Sequence, residues 1–190
     1  MRRITLFIFL SAAVCASCKA PSKPFSPYDD RYYTNVSDFV GFVIHSSPDS
    51  IEFLLEDSVT RREFPDGVEL YLKDTLTFTE EERKQIHSWA AHPPFSVWTA
   101  SLVPQAQLIR SDTISAIFKR SVEDGWSYFV DHIGRDFNSL GCPLFLRQYT
   151  WCLCYSANYC GGLCGTGKLA LYKKEGSHWV VVKTWGSWIS

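Results

Sequence analysis

The feature that most constrains the fold is a series of three strand-like runs in about the last fifty residues. Residues 145–157, 168–173 and 179–185 are rich in aromatic and aliphatic side chains and have the lengths of strands. Glycines punctuate the connections at 160–162 and 175–177, where tight turns would reverse the chain. The C-terminal part is therefore predicted to be an antiparallel β-meander.

Helical patterns lie before this region. Residues 39–44 carry apolar side chains at a helical period, with Ser37 as the predicted N-cap. The Ser-Pro-Asp run at 47–49 has the residues of a helix start, which predicts a helix over 49–56. A strand is predicted over 68–72, where apolar and polar residues alternate.

Two more helical segments occupy the centre of the chain. Thr79 and Glu82 have the spacing of a capping box, and the helix that they open is predicted to end at Ala91, before a His-Pro-Pro sequence. The longest helical stretch covers 112–133, with a break expected at Gly125.

Residues 95–102 and 105–110 are further strand candidates, separated by Pro104. Helices concentrated before a terminal meander are typical of the α+β class, in which helices cover the apolar face of a sheet. We therefore predict an α+β fold in which N-terminal and central helices pack on a C-terminal antiparallel β-meander. A single globular domain is expected over 32–190.

The first 17 residues have the pattern of a secretory signal peptide. Arg2 and Arg3 precede an apolar stretch that runs to Val14, and small residues follow at 16–17. The apolar stretch is shorter than the roughly 20 residues of a permanent membrane-spanning helix. Residues 1–17 are therefore predicted to be removed on export.

The end of this segment resembles the lipobox of bacterial lipoproteins. Cys15-Ala16-Ser17-Cys18 places a small residue directly before a cysteine, although Cys15 stands where the motif usually has leucine. The resemblance implies that Cys18 becomes the lipidated first residue of a membrane-anchored protein, in the periplasm or on the cell surface, with the outer membrane favoured. Residues 18–31 contain three prolines and are predicted to be a tether.

Charge and motif spacing exclude two classes of ligand. The chain has a net charge of -1, and removal of 1–17 would leave 17 basic and 20 acidic residues, so it lacks the positive surplus of a nucleic-acid binder. Gly162, Gly167 and Lys168 have the spacing of a phosphate loop. However, Leu169 stands where that loop needs a hydroxyl, and a strand follows instead of a helix. No nucleotide and no cofactor are predicted.

Four cysteines, Cys152, Cys154, Cys160 and Cys164, lie close together near the C-terminus. Their spacings differ from the paired C-x2–4-C knuckles of structural zinc sites, which argues against a metal site. Alternation places Cys152 and Cys154 on one strand face, where cysteine often serves as a small hydrophobic residue. In an oxidising compartment Cys160 and Cys164 are candidates for a disulfide that closes the turn.

A thiol- or acid/base-dependent hydrolase is the alternative to a binding protein. It would use Cys160 or Cys164 with a histidine such as His132 or His178, held within hydrogen-bond reach in a cleft. The sequence contains no complete catalytic signature, so no catalytic residue is predicted and a non-enzymatic module is favoured. Its partner would be a glycan or a protein, because 27 aromatic residues lie beyond position 17, enough for a core and for exposed stacking surfaces.

The C-terminal half also resembles a family of uncharacterised exported proteins that is common in the Bacteroidota. The resemblance covers roughly residues 110–190 and is carried by spaced glycine, cysteine and tryptophan residues. These are Gly125-Trp126-x-x-Phe129, Tyr159-Cys160-Gly-Gly-Leu-Cys164-Gly-x-Gly167, Trp179 and Trp188-Ile189-Ser190. It implies an exported protein of the same fold and no particular activity.

Overall fold

One seven-stranded mixed sheet forms the centre of the part of the chain that the structure describes. The structure is a computed structural model, and it describes residues 29–46, 53–59 and 73–190. The predicted signal peptide, Cys18, nearly all of the tether and the predicted strand over 68–72 lie outside these residues. In chain order the elements are α1 (Asp30–His45), β1 (Leu54–Glu56), α2 (Glu80–Ala91), β2 (Gln107–Ile109), α3 (Ser111–Ile117), α4 (Val122–His132), β3 (Phe137–Leu140), β4 (Leu144–Leu146), β5 (Trp151–Gly161), β6 (Cys164–Glu175) and β7 (His178–Ile189).

The strands follow the order β2-β1-β3-β5-β6-β7, and β4 pairs with the same long strand β5 as β3 does. Strand β1 runs parallel to β2 and β3, whereas every other pairing is antiparallel. Helices lie in the N-terminal and central parts and the long strands at the C-terminus, so the predicted α+β class is confirmed. The meander β5-β6-β7 is the largest part of the sheet.

Two of the predicted central elements are confirmed. Helix α2 opens with the predicted capping box: the Glu82 N–H donates to Thr79 Oγ1 at 3.2 Å, and the Thr79 N–H donates to Glu82 Oε2 at 3.0 Å. The helix ends at Ala91, as the sequence predicts. Strand β2 (Gln107–Ile109) lies within the strand predicted over 105–110.

Two predictions for the segments before β2 are wrong. The helix predicted over 49–56 is contradicted at its end, because Leu54–Glu56 form β1, which pairs with strands on both sides. The residues at 49–52 lie outside the described part. The strand predicted over 95–102 is also wrong, since only Val97 makes an isolated bridge, to Ser58.

Two helix boundaries differ from the prediction. Helix α1 begins at Asp30, capped by the side chain of Asp29, so its start precedes Ser37 and the last two residues of the 18–31 tether are helical. The stretch 112–133 breaks before Gly125, between α3 and α4. Gly125 itself lies inside α4. The position requires glycine because a Cβ there would lie 2.5 Å from the Phe118 ring.

Helix α1 packs on one face of the meander. The Phe39 ring is fully buried and lies 5.0 Å from the Tyr172 ring, 5.2 Å from Trp179 and 6.2 Å from Phe145 between centroids. The side chains of Cys152 and Tyr172 are cross-strand neighbours on this face. We call it the α1 face of the sheet.

The opposite face is covered by the segment around α2 and by the α3–α4 pair. Phe78, just before α2, stacks on Trp185 of β7 at 5.6 Å, and Ile86 of α2 is fully buried. Phe129 of α4 packs with Phe137 of β3 in a second, smaller cluster. Helices therefore cover both faces of the sheet. Only the parts of each face that lie beyond the ends of these helices are accessible.

Replacing Phe39 with alanine tests whether α1 holds the sheet through this ring. The free energy of unfolding should fall by about 3–5 kcal/mol, because the variant loses a fully buried aromatic side chain and leaves a cavity. Urea unfolding followed by circular dichroism measures the change. Val130→Ala, at a position 52% exposed on α4, is the matched control and should change the value by less than about 0.5 kcal/mol. Similar small changes in both variants would contradict this role of Phe39.

Candidate ligand-binding site

The cysteine-rich segment is an oxidised hairpin. Cys160 and Cys164 are paired as a disulfide, with 5.0 Å between their Cα atoms, across the turn from β5 to β6. The predicted pairing is confirmed. Cys152 and Cys154 are free and buried on the α1 face, as is Cys142 beside them. Within the described residues, no group of three or more potential metal ligands is close enough to hold an ion.

The three free thiols have low reactivity. Burial raises the pKa of Cys142 to about 12, and burial also raises the pKa values of Cys152 and Cys154 well above the usual value of a thiol. The thiolate is the reactive form of cysteine, so these three side chains are protonated and unreactive at neutral pH. Cys142 is also held by the Tyr32 hydroxyl, 3.2 Å from its Sγ.

The pair required by the hydrolase alternative is not assembled in the described residues. The disulfide leaves neither Cys160 nor Cys164 with a thiol. His132 Nδ1 lies 2.9 Å from the Tyr128 carbonyl oxygen, and His178 Nδ1 lies 3.1 Å from the Ser177 hydroxyl. Over residues 29–46, 53–59 and 73–190, no histidine forms a hydrogen bond with a cysteine.

A pocket of about 470 Å³ opens on the α1 face, beyond the end of α1. Its floor is a patch of polar side chains on the central strands. Asn138, Asn158 and Thr166 are neighbours across β3, β5 and β6, and Ser156 and Lys168 form the next row. We call this space the sheet pocket, and its polar floor consists of Asn138, Ser156, Asn158, Thr166, Lys168 and Ser187.

The walls of the sheet pocket are apolar. Phe42 and Val43 come from the last turn of α1, and Val181 and Ile189 come from the edge strand β7. Ligand pockets typically enclose roughly 300–1,000 Å³ and combine apolar walls with a few placed polar groups. The size and lining of the sheet pocket fit this description.

The amides of the floor are held in place by hydrogen bonds. Asn138 is 7% exposed, and its Nδ2 donates to the Leu54 carbonyl at 3.2 Å. Asn158 Nδ2 donates in turn to Asn138 Oδ1, also at 3.2 Å. Asn158 Oδ1 has no hydrogen-bond partner in the described part of the chain. It is therefore an oriented acceptor on a rigid strand.

One pattern in the sequence of β5 indicates this site, although it plays no part in the strand prediction above. The residues of β5 on the α1 face are Cys152, Cys154, Ser156 and Asn158, which change from apolar to polar halfway along the strand. Such a change indicates that the face is covered over its first half and open over its second. Asn138 could not be found in this way, because the sequence around it has no pattern that predicts β3.

A second, larger groove lies between α3 and α4 and has a volume of about 930 Å³. It is more open than the sheet pocket. Arg110 and Asp112 in its lining pair with each other, and Tyr128 is half exposed and stacks on His132 with 4.2 Å between ring centroids. The charged residues that line the groove are exposed, whereas the sheet pocket has the buried amide of Asn138 and the half-buried amide of Asn158, both oriented by hydrogen bonds, so the sheet pocket is the better candidate.

Comparisons with protein-family models, with curated proteins and with solved structures find no match to this chain. The site is therefore interpreted from its own residues. In the described ranges, no helix combines the length and the apolarity that crossing a membrane requires.

Alkylation counts test the cysteine assignment. In the purified protein without reductant, Cys142, Cys152 and Cys154 should resist iodoacetamide until the chain is unfolded, because all three are buried. Reduction should then expose two more thiols, from Cys160 and Cys164. Mass spectrometry of the peptides gives both counts. Rapid labelling of Cys152 in the native protein, or labelling of Cys160 before reduction, would contradict the assignment.

Proposed function

We propose that the protein is a lipoprotein of the bacterial cell envelope that binds a polyhydroxylated ligand, such as a short glycan, in the sheet pocket and catalyses no reaction. The observation that carries the proposal is the polar floor on a sheet face whose other half is apolar core. Ser156 and Asn158 continue the row of Cys152 and Cys154, yet they line a pocket instead of packing under α1.

The chemistry of the pocket suits a sugar. Amide and hydroxyl groups both donate and accept hydrogen bonds, as sugar hydroxyls do. The apolar walls at Phe42, Val181 and Ile189 offer contact for the C–H faces of a sugar ring. A purely apolar ligand would instead cover the floor amides and leave the Asn158 acceptor without a partner, which costs free energy.

The site is also preorganised. Asn158 is fixed by its hydrogen bond to Asn138, and Asn138 is fixed by its bond to β1. Both residues lie on paired strands, so little conformational entropy is lost when a ligand binds. A binding protein benefits from such rigidity, and it needs no titrating group in the pocket.

Features of the N-terminus and of the C-terminal motifs support the location. The lipobox-like Cys15-Ala16-Ser17-Cys18 and the proline-containing segment after it suit a tethered, acylated protein. A disulfide suits an oxidising compartment. The resemblance to exported Bacteroidota proteins points in the same direction.

Asn158→Leu tests the site. The leucine removes the oriented acceptor and fills part of the pocket, so affinity for any saccharide that binds should fall at least tenfold. A panel of soluble mono- and disaccharides can be screened by isothermal titration calorimetry. Asn35→Leu is the matched control, because Asn35 is a partly exposed amide on α1 that does not line the pocket, and it should leave affinity unchanged. Saccharide binding that is equally strong in both variants would contradict the proposed site.

Cys18→Ser tests the anchor. The variant should lose acylation and move from the membrane fraction to the soluble fraction, or stay as an uncleaved precursor. Each buried acyl methylene contributes about 0.8 kcal/mol, which no surface patch of this weakly acidic protein replaces. Cell fractionation with intact-mass analysis gives the result, and Cys15→Ser is the control that should remain acylated. A correctly cleaved Cys18→Ser protein that stays in the membrane fraction would contradict the lipoprotein assignment.

A further inference from the structure

We propose that the ligand of the sheet pocket carries a carboxylate, as a hexuronic acid does, and that Lys168 binds this group. The inference rests on the proposed function and names the class of sugar. It is carried by the position and the surroundings of one lysine.

Lys168 differs from the other lysines on the strands. Lys173 and Lys174 of β6 pair with Glu175 and Asp38 at 3.0 and 2.8 Å, and Lys183 of β7 pairs with Asp74. Lys168 has neither a carboxylate within 4.0 Å nor a hydrogen-bond partner in the described part of the chain. Among the described residues, no negative charge therefore compensates the Lys168 ammonium.

The position of Lys168 is not explained by the stability of the sheet. It lies inside β6, and its neighbour across the ladder on β5 is Ser156. An opposite charge directly across the strands would stabilise the pair, but a serine stands there. Lys168 is instead the only charged residue among the described residues that line the pocket.

The single positive charge in the pocket favours a carboxylate over a phosphate group. One ammonium group neutralises one carboxylate, whereas a phosphate monoester carries a charge of about -1.5 to -2 at neutral pH, which is more than one lysine neutralises. The helix end that borders the pocket is the C-terminus of α1, whose carbonyl oxygens carry partial negative charge and would repel an acid group placed beside them. These carbonyls and the floor amides suit the hydroxyls of a sugar, and Lys168 suits its acid group.

Matched sugars that differ only at C6 provide the test. D-glucuronate and D-galacturonate would be titrated into the purified protein beside D-glucose and D-galactose, with acetate as a simple anion. Chemical-shift changes of the backbone amides of Asn158, Thr166 and Lys168 report on binding. At least one uronate should bind about tenfold tighter than its neutral counterpart, the low end for a charge-assisted hydrogen bond because Lys168 is exposed.

Three variants identify the group responsible. Lys168→Met should remove the preference for the uronate, so that the variant binds the acid and the neutral sugar with equal affinity, whereas Lys168→Arg should keep part of the preference. Lys119→Met is the control, because Lys119 also has no ion-pair partner among the described residues but lies between α3 and α4, outside the pocket lining. It should bind like the wild type.

Each other outcome overturns a distinct claim. Equal affinity for acid and neutral sugars, or a preference that survives in Lys168→Met, overturns the carboxylate inference and leaves the proposed function standing. Acetate that shifts the pocket amides as strongly as a uronate reduces the site to a general anion site and also overturns the inference. If no saccharide shifts these amides, the proposed function fails and the inference fails with it.

Discussion

The packing of α1 across the sheet is the interaction on which the rest of the structure depends. Phe39 inserts its ring among Tyr172, Trp179 and Phe145 and so fixes the helix over the first half of β5. Because α1 ends at His45, it does not cover the second half of that strand. The position of α1 therefore determines both the core and the open polar floor beside it. Residues of β5 under the helix are apolar, and residues beyond the helix end are polar.

The sequence predicts the local elements well and the long-range pairings poorly. The meander is recoverable because its hairpins join neighbouring strands through glycine turns, and α2 is recoverable because Thr79 and Glu82 cap it locally. Strand β1 was predicted as part of a helix. Its short apolar run becomes a strand only through parallel pairing with β2 and β3, which lie far along the chain. Sequence periodicity carries no information about such partners.

The features of the candidate site also differ in how far the sequence predicts them. The Cys160–Cys164 disulfide was predictable from the cysteine spacing, the predicted export of the protein and the glycine turn between the two cysteines. The sheet pocket was not, because it needs the register of three strands and the end point of α1 together. Asn138 and Asn158 are 20 positions apart, and only the pairing of β3 with β5 brings their amides together. The change from cysteine to Ser156 and Asn158 along β5 was the one local sign of the site.

The central claim is that the polar floor serves a ligand and not the stability of the fold. Thr166 and Ser187 line the pocket, their side chains make no hydrogen bonds in the described part of the chain, and valine suits both strand positions. The direct measurement is the urea unfolding free energy of the Thr166→Val/Ser187→Val double variant, with and without a saccharide that stabilises the wild type. Our account predicts a variant at least as stable as the wild type in buffer that gains nothing from the saccharide. A variant that is markedly less stable in buffer, yet stabilised by the saccharide as much as the wild type, would contradict it.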